Sequence, residues 1–89
     1  MTGTLTPLPS KKQFRTALAG VLRSVRDTTT LSQEGLAQAA AIDRTSISLY
    51  ERGERIPNTW NLVKLAHAMD TDAPLMLTLT LARLRGEHG

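Results

Sequence analysis

The segment DRTSISLYERG, residues 43 to 53, combines hydroxyl side chains and arginines with apolar residues at helical spacing. Drawn as a helix with about 100° between successive residues, its outer half carries Thr45, Ser48, Leu49 and Arg52, with Arg44 at the flank. Short side chains allow close approach, and hydroxyl and guanidinium groups hydrogen-bond to base edges or phosphates in a groove about 12 Å wide. This half of the helix is suited to double-stranded DNA, with an ordinary solvated surface as the alternative.

The inner half of the same helix carries Ile47 and Tyr50, which favour burial, together with Glu51. A carboxylate that is buried without a partner is costly, so Glu51 needs a cation. Arg26 is the candidate, because a break at residues 28 to 30 would turn the chain back across the end of the preceding helix. A hydrated Glu51 at the rim of the core is the alternative.

The charge of the chain favours a DNA partner only through its distribution. Eleven basic and eight acidic residues give a net charge of +3, which many ordinary proteins share. Residues 11 to 26, however, include Lys11, Lys12, Arg15, Arg23 and Arg26 and no acid, and Arg44, Arg52 and Arg55 form a second group. Such groups can provide an electrostatic surface for nucleic acid, although solvated helix faces often have the same composition.

The first helix that could position these residues is predicted from an apolar stripe. Residues 1 to 10 contain two prolines and three threonines, and we expect them to form a flexible arm. The period of 3.6 that follows predicts a helix over residues 11 to 27, with Ser10 as its N-cap. The stripe comprises Phe14, Ala17, Leu18, Val21, Leu22 and Val25.

A second, short helix is predicted after the threonines at 28 to 30, which are poor helix formers. Ser32 would be its N-cap, and Gly35 inside it costs about 1 kcal/mol relative to alanine. Its buried residues would be Leu36, Ala37 and Ala40.

Two further helices follow. Asp43 is a suitable N-cap for the third, which would continue to Arg52 and end at Gly53. Pro57 and Asn58 would begin the fourth. The buried stripe of the fourth helix would comprise Leu62, Leu65, Ala66 and Met69.

Residues 73 to 85 are ambiguous, because Leu75, Leu77, Leu79 and Leu81 alternate as they would in a strand. Asp72 as a cap and Pro74 in the first turn favour a helix. A helix would direct Leu75, Met76, Leu79 and Ala82 to the core. It would also leave a second apolar stripe, Leu77, Leu81 and Leu84, as the candidate contact of a homodimer. A strand would allow dimerisation too, by edge-to-edge pairing.

The composition limits the size and the chemistry of the protein. Eighty-nine residues suit one domain, and without cysteine there is no disulfide or thiolate metal site. No apolar run reaches the roughly 18 residues of a membrane span, and the N-terminus lacks the features of a signal peptide. We therefore expect a cytoplasmic protein. His67 and His88 are the only histidines, and neither suggests a catalytic or metal site, so we expect no enzyme activity, no metal and no cofactor.

Residues 31 to 70, LSQEGLAQAAAIDRTSISLYERGERIPNTWNLVKLAHAMD, resemble the helix-turn-helix domain of the Cro and phage-repressor family. The motifs are Ser32-Gln33 before Leu36-Ala37, Arg44 followed by Ile47-Ser48 and Glu51-Arg52-Gly53, then Pro57 and the stripe from Leu62 to Met69. With the first helix, the resemblance covers residues 11 to about 75. It implies an all-α, lambda-repressor-like bundle of about five helices, in which the third is the recognition helix. The domain would span residues 11 to 85, including a dimerisation segment, followed by a tail at 86 to 89.

The resemblance also implies roles for individual residues. Gln33, at the N-terminus of the second helix, would contact the DNA backbone, where free N–H groups attract phosphates. The positions that match Arg44, Thr45, Ser48 and Leu49 face bases, and those that match Arg52 and Arg55 lie near phosphates. Arg26 and Glu51 match a buried or half-buried ion pair.

Two departures from the family pattern concern the second helix. Ala41 occupies the turn where glycine is common, so we expect a slightly strained turn, and Gly35 replaces a usual helix former. Neither departure removes a residue expected to contact DNA.

The function expected from these features is sequence-specific transcriptional regulation, most simply repression by a homodimer on an inverted-repeat operator. Arg44 is the candidate for a guanine contact and Leu49 for a thymine methyl group. The alternative is an antitoxin-like protein that binds a partner toxin and autoregulates its operon. Trp60 motivates this alternative, because exposed tryptophan is enriched in protein interfaces, although Trp60 could instead fold over Pro57 as a local cap.

Overall fold

Five α-helices form the regular structure of residues 8 to 86, the part of the chain that the computed structural model describes. They are α1 (Lys11–Asp27), α2 (Gln33–Ala40), α3 (Arg44–Glu51), α4 (Thr59–Ala68) and α5 (Ala73–Leu84). The prediction of an all-α fold of about five helices is confirmed. Most of the expected arm and the tail beyond Gly86, with His88, lie outside the described residues. None of the helices in the described range is long and apolar enough to cross a membrane.

A side-chain cap sets the start of every one of these helices. The N-caps are Ser10, Ser32, Asp43, Asn58 and Asp72, and each accepts a hydrogen bond from the backbone N–H three residues later. Ser10 and Gln13 complete a capping box, because the Gln13 side chain accepts from the Ser10 N–H at 2.8 Å. Each cap contributes about 1 kcal/mol. Short polar residues in this sequence therefore define where the helices begin.

The turn between α2 and α3 depends on one left-handed residue. Ala41 has φ 55° and ψ 47°, and its N–H is bonded to carbonyls of the last turn of α2. A residue with a Cβ atom loses about 1 to 2 kcal/mol in this conformation, so the expected strain is confirmed. Lys64 of α4 donates to the Ala41 carbonyl at 3.1 Å, which ties the turn to the rest of the bundle.

The centre of the core receives one large side chain from each helix. These are Leu22, Leu36, Ile47, Leu65 and Met76, each no more than 1% exposed. The predicted stripe of α1 is buried from Ala17 to Leu22, and Phe14 and Val25 at its ends are partly buried against the core.

The C-terminal segment is a helix, so the strand alternative is wrong, but its predicted core-facing side is only partly correct. Met76 is buried as expected, whereas Leu75 and Leu79 are 46% and 40% exposed. Thr80 takes the inner position instead and is fully buried, four residues after Met76. Its hydroxyl donates to the Met76 carbonyl at 2.8 Å, which removes the cost of burying that group.

Candidate nucleic-acid interface

The third helix has one buried side and one open side. Ile47, Tyr50 and Glu51 are buried, while Arg44 and Thr45 are exposed and Ser48 is half-buried. This division follows the helical wheel of the sequence, because residues 47, 50 and 51 are close neighbours on one face. The open side therefore carries the short hydroxyl side chains that would allow the backbone of α3 to approach a DNA groove closely.

Five of the residues expected to contact DNA form one concave surface. Gln33, Arg44, Thr45, Ser48 and Arg52 line a depression of about 310 Å³ between the start of α2 and the open side of α3. We call this depression the polar groove. Leu49, which is half-buried, and Arg55, which is exposed, are not among its lining residues.

The two arginines of the polar groove form ion pairs with neighbouring carboxylates. Arg44 Nε lies 3.9 Å from Glu34 Oε2, and Arg52 Nε lies 2.6 Å from Glu54 Oε2. All four side chains are more than half exposed. Exposed pairs of this kind contribute about 0 to 1 kcal/mol, so both guanidinium groups can exchange these carboxylates for phosphate or base oxygens at little cost.

Below the groove, Glu51 is 4% exposed and is paired with Arg26 through two hydrogen bonds. Arg26 Nε lies 2.7 Å from Oε2, and Nη2 lies 3.0 Å from Oε1. The hydrogen bond to Glu51 raises the pKa of Arg26 above its ordinary value, although desolvation opposes this change. No buried side-chain nitrogen or oxygen in residues 8 to 86 lacks a hydrogen-bond partner, so the charges under the groove are fully compensated.

Two other arginines of α1 hold the C-terminal end of α3. Arg15 Nε donates to the Gly53 carbonyl at 3.2 Å, and Arg23 donates to the Glu51 carbonyl. The last carbonyls of a helix have no partner within it and form the negative end of its dipole. Part of this basic group therefore holds α3 in place, and Arg26 forms the ion pair with Glu51 that the sequence suggested. Their spacing places Arg15, Arg23 and Arg26 within about 80° of one another around α1, but it does not identify the carbonyls that they contact.

The N-terminal end of α3 is held by its own cap. Asp43 accepts from the Ser46 N–H and from the Ser46 hydroxyl, both at 2.9 Å. These bonds, first from the backbone and then from the hydroxyl, lower the pKa of Asp43. Side-chain hydrogen bonds therefore satisfy backbone groups at both ends of α3.

The arrangement of α2, the turn and α3 agrees with what comparison with known proteins finds. The family model of a helix-turn-helix domain matches residues 17 to 79. The chain belongs to this helix-turn-helix family. The control protein C.SmaI of Serratia marcescens is 43% identical over 61 residues, which is 68% of this chain and 73% of that protein.

Solved structures agree with this membership. The restriction-modification controller protein C.AhdI of Aeromonas hydrophila is 34% identical, with a TM-score of 0.67, over 70% of this chain and 94% of its own. The clp gene regulator ClgR of Corynebacterium glutamicum is 25% identical, with a TM-score of 0.77, over 89% of this chain and 81% of its own. The predicted resemblance to the Cro and phage-repressor family is confirmed, and the chain is a DNA-binding transcriptional regulator.

In this helix-turn-helix protein the remaining residue of interest is Trp60, which lies outside the polar groove. Its side chain is 65% exposed, which favours the surface position over the local cap. Lys64 Nζ lies 5.9 Å from the centre of its ring, a distance at which a cation is attracted to the ring face.

Proposed function

We propose that this regulator is a repressor that binds an inverted-repeat operator as a homodimer, with α3 in the major groove. The polar groove is the main support for this proposal. It combines hydroxyl, guanidinium and amide groups, with no apolar side chain among its lining residues. These polar groups match the donors and acceptors of base edges and phosphates.

In this proposal the exposed part of α3 reads bases. Arg44 would form a bidentate contact with guanine, which is worth about 1 to 3 kcal/mol of discrimination. Thr45 and Ser48 are short enough to allow the helix into the groove and can hydrogen-bond to base edges. Leu49 is half-buried beside them and would contact a thymine methyl group.

The positions at the edges of α3 would contact the DNA backbone. Gln33 is the first residue of α2, where the helix dipole and free N–H groups attract a phosphate. Arg52 and Arg55 are exposed beyond the end of α3 and would bind phosphates on the other side. These contacts set the register and make the affinity depend on salt.

Dimerisation is proposed through α5, because one recognition helix reads too few base pairs to mark a unique site. Leu77 and Leu81 are 37% and 46% exposed, and Leu84, which is half-buried, follows on the same side of the helix. Exposed leucines at this spacing favour packing against the same helix of a second chain. The two recognition helices would then lie about 34 Å apart, on successive turns of the duplex.

Two leucine variants test which side of α5 forms the dimer. We expect Leu81→Ser to shift the protein toward monomer in sedimentation analysis. Leu79→Ser removes a similarly exposed leucine, at 40% against 46%, from the opposite flank and serves as the matched control. Dissociation by Leu79→Ser alone would assign the interface to the other flank and contradict this part of the proposal.

Selection from a random duplex library tests DNA recognition itself. We expect enrichment of an inverted repeat whose half-sites are about 10 base pairs apart, centre to centre. A reporter promoter that overlaps this repeat should be repressed in cells that produce the protein. The absence of any enriched sequence at low salt would contradict the proposal.

A second function is supported by Trp60. An antitoxin-like protein would use an exposed aromatic side chain as an anchor for its partner, and Trp60 has this exposure on α4. We expect such a partner to copurify from the native host with the wild-type protein but not with Trp60→Ala. Both proteins should bind the selected duplex equally, because Trp60 does not line the polar groove.

A further inference from the structure

Gln33 connects the polar groove with the buried ion pair beneath it. Its side chain lines the groove, and its Nε2 atom donates to Glu51 Oε1 at 3.1 Å. The same carboxylate oxygen accepts from Arg26 Nη2 at 3.0 Å. One side chain therefore belongs both to the candidate DNA surface and to the polar network of the core.

This network lies at the open end of the helix-turn-helix. Residues 41 to 43 join α2 and α3 at one end, whereas Gln33 is the first residue of α2 and Glu51 is the last of α3. Arg26 also donates to the carbonyl of Leu31, just before the cap of α2, at 3.2 Å. Arg26 and Glu51 thus tie together the ends of the two helices that the turn leaves apart.

The chemistry of Glu51 determines how the Gln33 amide is oriented. A carboxylate only accepts hydrogen bonds, so the NH2 group of Gln33 must face Glu51. The carbonyl oxygen and the second N–H of the amide remain for DNA. Because a free glutamine side chain loses rotamer entropy when it binds, a side chain held beforehand binds at a lower cost.

We propose that Glu51 is a positioning residue for DNA binding, which holds the Gln33 amide in the orientation that contacts the duplex. This inference rests on the proposed DNA contact of Gln33. It assigns the buried ion pair a second task besides stability, because Arg26 fixes the carboxylate and the carboxylate fixes the amide.

A double-mutant cycle on DNA binding tests this coupling. The probe is the duplex that the wild-type protein selects, and all variants are compared at a temperature where circular dichroism shows them folded. We expect Gln33→Ala to weaken binding about 5-fold per subunit, the value of one hydrogen bond of about 1 kcal/mol. In the Glu51→Met background, which has no acceptor for the Gln33 amide, the same change should cost less than about 2-fold. Equal losses in both backgrounds would overturn the inference.

Arg26→Lys provides the control for a purely structural effect. Lysine keeps a positive charge beside Glu51 but loses the two-pronged contact, so stability should fall while Gln33→Ala still costs its full factor. A loss of the Gln33 effect in Arg26→Lys, together with a full Gln33 effect in Glu51→Met, would assign the positioning to Arg26 and overturn the role of Glu51. If the wild-type protein selects no duplex, the proposed function fails, and this inference fails with it.

A second measurement is made on the free wild-type protein, without DNA. Gln38 lies on the same helix, and its side chain is exposed, which makes it an internal reference for Gln33. We expect the side-chain NH2 protons of Gln33, assigned by their absence in Gln33→Ala, to exchange with water more slowly than those of Gln38. Equal exchange rates would show that Glu51 does not hold the amide and would overturn the inference even if Glu51→Met fails to fold.

Discussion

Arg26→Met should remove a large part of the stability of this domain. The substitution takes two hydrogen bonds, at 2.7 and 3.0 Å, from a carboxylate that is 4% exposed. Breaking a buried pair by removing one partner costs about 3 to 5 kcal/mol. A chain of 89 residues, at about 0.05 to 0.15 kcal/mol per residue, has a total of about 4 to 13 kcal/mol. If the total lies at the lower end of this range, the loss is large enough to unfold the variant at room temperature.

Urea unfolding measures this loss directly. With an m-value of about 1 to 1.5 kcal/mol/M, the midpoint should fall by about 2 to 5 M, unless the variant is already unfolded without urea. Removing both charges, in Arg26→Met with Glu51→Met, should recover most of the loss, because no unpaired charge remains buried.

The exposed pair of Arg52 and Glu54 provides the matched control. Its atoms are 2.6 Å apart, but its side chains are 57% and 55% exposed, so Arg52→Met should cost less than about 1 kcal/mol. Equal losses for Arg26→Met and Arg52→Met would refute the argument that burial determines the value of the ion pair.

Four further predictions concern the turn, the glycine within α2, the cap of α3 and the phosphate contacts. Ala41→Gly should raise the free energy of unfolding by about 0.5 to 1 kcal/mol, because φ is 55° there. Gly35→Ala should raise it by about 1 kcal/mol, since the new Cβ would lie no closer than 3.4 Å to its neighbours. A lower urea midpoint for either variant would contradict its prediction. The lowered pKa of Asp43 means that its contribution to stability is present above the ordinary aspartate pKa of about 3.9 and is lost as the pH falls through the folded value. Asp43→Asn should therefore lose less stability than wild type between pH 5 and acid conditions of about pH 2, and an identical pH dependence of the two urea midpoints would contradict the assignment. Arg52→Ala should reduce the slope of log K against log salt by about 1 per subunit, and an unchanged slope would remove Arg52 from the phosphate contacts.

The helix boundaries and most of the core could be predicted because each has a local signal. Ser10, Ser32, Asp43 and Asp72 are short polar residues directly before apolar periodicity, and all four are N-caps in the structure. The left-handed turn at Ala41 could be predicted only from the resemblance, since nothing local distinguishes this alanine from its neighbours.

The orientation of α5 could not be predicted, because leucines lie on both flanks of the helix and periodicity does not distinguish them. Packing against α1 and α4 decides in favour of Met76 and Thr80, and the buried hydroxyl of Thr80 is acceptable only because it bonds within the helix. The contacts of Arg15 and Arg23 with the end of α3 were missed for a similar reason. Their acceptors are backbone carbonyls, which every residue has and which leave no mark in the sequence.

Binding of Arg44→Ala to the duplex selected by the wild-type protein tests most directly whether the open side of α3 reads DNA. Lys12 lies in a separate depression between α1 and α5, to which α3 contributes no residue. Lys12→Ala therefore removes one positive charge outside the polar groove and serves as the control. We predict that Arg44→Ala weakens binding about 5-fold to 150-fold per half-site, from 1 to 3 kcal/mol, and relaxes the sequence preference at one base pair of each half-site. Lys12→Ala should keep that preference. An Arg44→Ala protein with wild-type affinity and unchanged sequence preference would contradict the role assigned to this face.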